Sequence, residues 1–137
     1  MRVTRRDVAL LRAHLHRRLF RSLILSLSVP PWRKTYLLTA AFHVAVHRRF
    51  AGRPRADVIR FVAHARIRRG PGGPNKLEPL PAEQVIIAAL TGTKPEGLTP
   101  WQRAKSLILL NELIDDEHLS EPDLEAFITE AVQLASR

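Results

Sequence analysis

The chain has 137 residues, of which 45% are hydrophobic and 26% charged, which fits one globular domain and excludes a largely disordered chain. It contains no cysteine, which excludes disulfides, thiolate metal sites and cysteine nucleophiles and favours an intracellular, cytoplasmic protein. The net charge of +9 is unevenly spread, because residues 1–76 carry 18 of the 22 basic residues and residues 77–137 carry 11 of the 13 acidic ones.

The N-terminal part begins with a long predicted helix. Thr4 followed by Asp7 is the pattern of a capping box, in which each side chain hydrogen-bonds the other residue's backbone. Leucines then recur at helical spacing, so we expect this helix to run to Ser28. The apolar stretch 23–29 at its end is far shorter than the about 20 residues that span a membrane.

Two further helices complete the basic part. Prolines that suit a first helical turn predict a second helix over 31–50 and a third over 54–69, with a turn at Gly52 between them. Both helices have an apolar inner face opposite their basic residues. These inner faces comprise Leu38, Ala41, Phe42, Ala45 and Val46 of the second helix and Val58, Phe61, Val62 and Ala65 of the third.

A linker rich in glycine and proline, 70–80, follows where the charge changes sign. A fourth helix is predicted over 81–91. Thr99 and Gln102 form a second capping-box pattern at the start of a fifth helix, and Ser120 caps a sixth.

No stretch alternates β-branched and polar residues, so the sequence predicts an all-α fold. We expect a compact bundle of about six helices in a single domain, 1–137. It would comprise a basic N-terminal three-helix part, 1–69, and an acidic C-terminal three-helix part, 81–137.

The arginines of the first three helices lie opposite the apolar stripes, where they would form a broad cationic surface. Such a surface binds phosphate backbones by releasing condensed counterions. The sequence therefore predicts a non-enzymatic nucleic-acid-binding protein that works within a larger complex. The expected contact residues are Arg17, Arg18, Arg21, Arg60, Arg66, Arg68 and Arg69.

A second hypothesis is a protein–protein adaptor or regulatory subunit that assembles through complementary basic and acidic helical faces. In that case Trp32 and Trp101 are the expected partner anchors, because tryptophan is enriched among the energetically dominant residues of interfaces. The same charge complementarity allows a homo-oligomer. A third possibility, the first helix lying on an anionic membrane, is less favoured.

Other arrangements of residues favour no reaction. The second and third helices resemble a helix-turn-helix, but Arg48 and Arg53 stand where that motif has small or apolar residues, which favours a plain hairpin. His43 and His47 have a metal-binding spacing without a third ligand, so no metal or other cofactor is expected. The acidic residues between 112 and 125 are interpreted as solvated helix ends. We therefore predict no catalytic residues and no enzymatic activity.

Overall fold

The computed structural model describes residues 2–16, 30–70, 77–92 and 99–137. Helices account for 83% of these residues and no strand occurs among them, so the all-α prediction is confirmed. The helices are α1 (Arg5–Leu15), α2 (Pro31–Phe50), α3 (Arg55–Arg69), α4 (Pro79–Thr91), α5 (Pro100–Glu117) and α6 (Glu121–Ala135).

Both predicted capping boxes are confirmed. At α1, the backbone N–H of Thr4 donates to Asp7 Oδ2 at 2.8 Å, and the N–H of Asp7 donates to Thr4 Oγ1 at 3.3 Å. At α5, Thr99 and Gln102 exchange the same two hydrogen bonds, at 2.9 and 3.2 Å. These side chains satisfy backbone donors that the first turn of a helix leaves without partners, which fixes where the two helices begin.

Two predicted boundaries are corrected. Helix α1 ends at Leu15 rather than at Ser28, because His16 leaves the helical conformation (ψ 2°) and closes the last turn with its backbone N–H. Residues 17–29 lie outside the described residues. Helix α4 begins at Pro79, two residues earlier than predicted, and Leu77 before it is buried. The last residues of the predicted linker 70–80 therefore belong to the packed structure.

Helix α2 lies at the centre of the fold and packs against α1, α4, α5 and α6. Its small residues Ala40, Ala41 and Ala45 are buried, which lets neighbouring helices approach closely. One hydrophobic core draws residues from all six helices, so the N-terminal and C-terminal helices share the same interior.

Helix α3 packs against α4, and its buried residues are Val58, Phe61, Val62 and Ala65. The ring of Phe61 meets that of Phe50 at the end of α2, with 5.6 Å between centroids. The turn between α2 and α3 uses Gly52 at a φ of 73°, a conformation that side chains with a Cβ rarely adopt. These features leave the opposite side of α3 facing solvent.

Candidate interaction surface

Ion pairs join the N-terminal helices to the acidic C-terminal ones. The guanidinium of Arg12 on α1 makes a two-pronged contact with Glu125 of α6, with Nε 2.8 Å from Oε1 and Nη2 3.1 Å from Oε2. These hydrogen bonds lower the pKa of Glu125 and raise the pKa of Arg12. The ring of His16 lies 3.6 Å from Glu121 and 3.9 Å from Glu125. The end of α1 is thus fastened to the first turns of α6.

Consecutive arginines join α2 to both acidic helices. Arg48 places Nη2 2.5 Å from Oε1 of Glu130 on α6. Arg49 places Nη2 2.7 Å from Oδ2 of Asp116 and Nη1 3.1 Å from Oε1 of Glu117, both on α5. These side chains are partly exposed, so each pair contributes at most about 1 kcal/mol to stability. Their main effect is to neutralise the positive charge of α2 locally.

The carboxylate of Glu112 on α5 faces two arginines at the end of α3. The residue is buried, with only 6% of its surface exposed. Nε and Nη2 of Arg68 both lie 2.9 Å from its Oε2. Nε of Arg69 lies 2.8 Å from its Oε1, at an angle that makes no hydrogen bond, so that contact is ionic only. A buried carboxylate needs such partners to offset its lost hydration, so this cluster has a structural role.

The interpretation of the acidic residues as solvated helix ends is wrong for Glu112, which is buried. The other acidic residues keep part of their exposure, but Asp116, Glu117 and Glu125 also bind arginines of the N-terminal helices. The partners are distant in sequence, by 44 residues for the Arg68–Glu112 pair and by 113 for Arg12–Glu125. A pattern of neighbouring residues cannot show such pairs.

The predicted nucleic-acid contacts fall into three groups. Outside the described residues lie Arg17, Arg18 and Arg21. On the side of α3 that meets α5 lie Arg68 and Arg69, both bound to Glu112. On the exposed side of α3 lie Arg60 and Arg66. The described members are therefore spread around α3, and carboxylates interrupt the broad cationic surface that the sequence predicts.

The side of α3 that faces away from the core carries a second apolar row. Ile59, Ala63 and Ile67 recur every four residues, so they lie in line along one face of the helix. Ile59 is 45% and Ile67 78% exposed, whereas Phe61 and Ala65 on the opposite side are buried. We call this row and its margins the outer face of α3.

Basic side chains line both margins of the outer face of α3. Helical spacing puts Arg55 and Arg66 on one margin and Arg60 and His64 on the other, and all four residues are exposed. Nη1 of Arg60 lies 3.6 Å from Oδ1 of Asp57 in the first turn of α3. The outer face of α3 thus combines an apolar centre with largely cationic margins.

A groove of about 490 Å³ adjoins the outer face of α3 on the Arg60 margin. Its lining mixes charges, because four arginines (Arg48, Arg49, Arg53 and Arg60) and His64 stand with Asp57, Asp116 and Glu117. Arg49 and Arg60 are already paired with these carboxylates, and a protein partner can present both signs of charge to such a lining.

The tryptophans predicted as partner anchors are both exposed, Trp32 by 62% and Trp101 by 50%. Trp32 lies in the first turn of α2, where the guanidinium of Arg33 stands 5.5 Å from its ring centroid. Trp101 lies in the first turn of α5. Their exposure is compatible with an anchoring role, which stays a prediction.

The histidine pair on α2 is divided between core and surface. His43 is only 3% exposed, whereas His47 is exposed and its Nε2 lies 3.1 Å from the carbonyl oxygen of Ala89. Within residues 2–16, 30–70, 77–92 and 99–137, no group of three or more His, Asp or Glu side chains has an arrangement suited to a metal.

None of the helices described in these ranges is both long and apolar enough to cross a membrane.

Sequence reasoning missed the row on the outer face of α3, although its signal was present. The inner face of α3 was found from apolar residues at helical spacing, and Ile59, Ala63 and Ile67 repeat that spacing on the other side. A helix with two apolar sides is expected to have two neighbours.

Comparisons with models of protein families, with curated proteins and with solved structures each found no match to this chain.

Proposed function

We propose that this protein is a non-enzymatic interaction module that docks a partner protein through the outer face of α3. The observation that carries the proposal is the exposed row of Ile59, Ala63 and Ile67 between basic margins. The inner face of α3 already supplies its contacts with the core, so folding does not need the outer row. Covering that row with a partner gains about 25 cal/mol per Å² of apolar surface.

The shape of the row favours a helix as the docked element. Ala63 forms a notch between the larger Ile59 and Ile67 side chains, and such an alternation accepts a side chain of a second helix. A membrane surface would be served better by bulky apolar residues throughout. The cationic margins favour acidic residues on either side of the partner's apolar centre.

Charge pairing within the chain also favours a protein partner over a polyanion. The basic N-terminal part and the acidic C-terminal part neutralise each other where they meet, through Arg12, Arg48, Arg49, Arg68 and Arg69. Asp7 of the N-terminal part holds Arg33 in the same way. Fewer guanidinium groups are then left for phosphates than the sequence suggests.

Photocross-linking tests the proposal. A photoreactive amino acid replaces Ala63 in the outer face of α3, and in a control protein it replaces Ala104, an exposed residue of α5. The absence of cysteine supports a cytoplasmic setting, so irradiation is done in intact cells. We expect a discrete protein adduct from position 63 that the Ile67→Asp change removes. The adduct's partner, identified and purified, should bind the wild type and not Ile67→Asp.

Two outcomes would contradict the proposal. The first is an equal adduct pattern from positions 63 and 104, which would mean that the outer face of α3 makes no preferred contact. The second is an adduct at position 63 that nuclease digestion removes, which would mean that the contacted molecule is nucleic acid.

Nucleic-acid binding through phosphate contacts is the second candidate, favoured by four exposed arginines on α3 and just before it, Arg53, Arg55, Arg60 and Arg66. Neutralising four phosphates gives a slope of about −3.6 for log K against log salt on duplex DNA. Fluorescence anisotropy with duplex and single-stranded oligonucleotides measures that slope. Binding with this slope, weakened by Arg60→Ala and Arg66→Ala together, would favour this candidate. Binding unaffected by both changes would exclude the α3 arginines as the contacts.

A further inference from the structure

We infer that the partner of the outer face of α3 is the α6 helix of a second copy of this chain, so that copies associate head to tail. The inference rests on the proposed function, because it names the partner of the same docking surface.

Helix α6 exposes a row of small and polar residues on the side away from the core. This row comprises Pro122, Ala126, Thr129 and Gln133, all exposed and at helical spacing. Leu124, Phe127 and Ile128 on the opposite side are buried. We call the exposed row and its margins the outer face of α6. Its smaller members, above all Ala126, let the apolar side chains of another helix approach closely.

Both margins of the outer face of α6 carry carboxylates, of which Glu125 and Glu130 are already paired with Arg12 and Arg48 of the same chain. Glu121 and Glu125 fall on one margin and Asp123 and Glu130 on the other, by helical spacing. The Glu121 side chain is 78% exposed, and those of Glu125 and Glu130, which also bind arginines within the chain, keep 43% and 50% exposure. A carboxylate has about four acceptor positions, so these groups can take further hydrogen bonds.

The two outer faces complement each other in shape and in charge. Ile59 and Ile67 lie about 12 Å apart along α3 at about 1.5 Å per residue, and each can pack against the small residues of α6 around Ala126. The basic margins of α3 then face the acidic margins of α6. Two α3 faces would instead bring arginines against arginines, which opposes a symmetric α3–α3 contact.

A contact between different faces has a consequence for assembly. Each bound copy still presents one unoccupied outer face, so association continues into rings or open chains rather than stopping at a symmetric dimer. Association should increase with protein concentration by mass action, and because charge complementarity contributes, we expect it to weaken as salt rises.

Sedimentation velocity of the full chain tests the inference, at several protein concentrations and at low and high salt. Ile67→Asp disables the outer face of α3, and Ala126→Arg disables the outer face of α6. Both residues are exposed, so the fold should tolerate each change, and circular dichroism checks it. Ala104→Arg on α5 is the matched control. The wild type and the control should form species larger than dimers, whereas each disabled variant alone should associate at least about tenfold more weakly.

Mixing the two disabled variants is the decisive measurement. Ile67→Asp keeps an intact α6 face and Ala126→Arg keeps an intact α3 face, so an equimolar mixture should form a one-to-one dimer and nothing larger. A wild type that stays monomeric under all conditions would overturn the inference and leave the proposed function to its own cross-linking test. Dimers formed by Ala126→Arg alone would also overturn it, because they would show α3 faces pairing with each other.

Discussion

Asp7 offers a sharp test of the structure, because its carboxylate joins the N-terminus of α1 to α2. The residue is 1% exposed, and its Oδ1 accepts a hydrogen bond from Nε of Arg33 at 3.2 Å while Oδ2 contacts Nη2 of the same guanidinium. Oδ2 also accepts the backbone N–H of Thr4 in the capping box. Replacement by Asn keeps the shape of the side chain and removes its charge.

We expect Asp7→Asn to lower the free energy of unfolding by about 2 kcal/mol. A hydrogen bond to a charged group contributes about 1.5–3 kcal/mol, and breaking a fully buried ion pair costs about 3–5 kcal/mol. The expected cost lies in the first of these ranges because the Arg33 side chain keeps 18% exposure and can regain some hydration when its partner is lost. Asp57→Asn is the matched control, since Asp57 is also the third residue of its helix and pairs at 3.6 Å with the exposed Arg60. The control change should cost less than about 0.5 kcal/mol.

The Asp7 effect should depend on pH in one direction. Burial would raise the pKa of Asp7, but the hydrogen bonds from Arg33 and Thr4 outweigh it and hold the pKa below its ordinary value. A lowered pKa in the folded state gives stability that is fully present above the unfolded value of about 4 and is lost as pH falls through the folded value. The gap in stability between wild type and Asp7→Asn should therefore be constant near neutral pH and shrink below about pH 4.

Urea unfolding followed by circular dichroism measures these differences, with the wild type and both variants compared at several pH values. Two results would refute the reasoning. The first is an equal effect of Asp7→Asn and Asp57→Asn at neutral pH. The second is a gap between wild type and Asp7→Asn that persists unchanged in acid, because the protonated carboxyl no longer differs in charge from the amide.

Three further stability predictions follow from local geometry, each measured by urea unfolding. Glu112→Gln should destabilise the protein by about 1–3 kcal/mol because it leaves Arg68 and Arg69 beside a neutral amide. The control Glu78→Gln, on the surface, should change stability by less than about 0.5 kcal/mol. Equal effects of the two changes would mean that the contacts of Glu112 with these arginines are not structural. Gly52→Ala should destabilise by about 1 kcal/mol because its φ of 73° disfavours a Cβ, although nothing lies within 4 Å of that position. His118→Gly should stabilise by about 0.5 kcal/mol because His118 ends α5 at a φ of 49°, and a loss of stability would contradict this account.

Local patterns predicted the helices well because their causes are local. A capping box involves residues three apart, and the buried positions of α3 and α6 follow from apolar residues at helical spacing. The end of α1 was missed for a physical reason. The spacing of leucines in the sequence continues past His16, and periodicity alone does not fix the residue at which a helix ends.

The interaction surface was predicted less well because it depends on pairs that are distant in sequence. The exposed arginines of α3 could be placed from helical spacing, as Arg60 shows. Whether an arginine is free depends on which carboxylate the fold brings to it, and Glu112 reaches Arg68 only after α5 has packed into the core. A count of basic residues includes both kinds of arginine, so it overstates the number of guanidinium groups that a polyanion would meet.

The ion pairs at the end of α3 bear on function through rigidity. An exposed apolar row binds a partner well only if the helix that carries it is already ordered, because ordering on binding subtracts from affinity. The inner face of α3 is buried along Val58, Phe61, Val62 and Ala65, which holds the middle of the helix in place. Glu112 holds the last turn through Arg68 and Arg69, next to Ile67 at the end of the outer face. The arginines that pair with Glu112 thus help to fix the helix whose other side is offered to a partner.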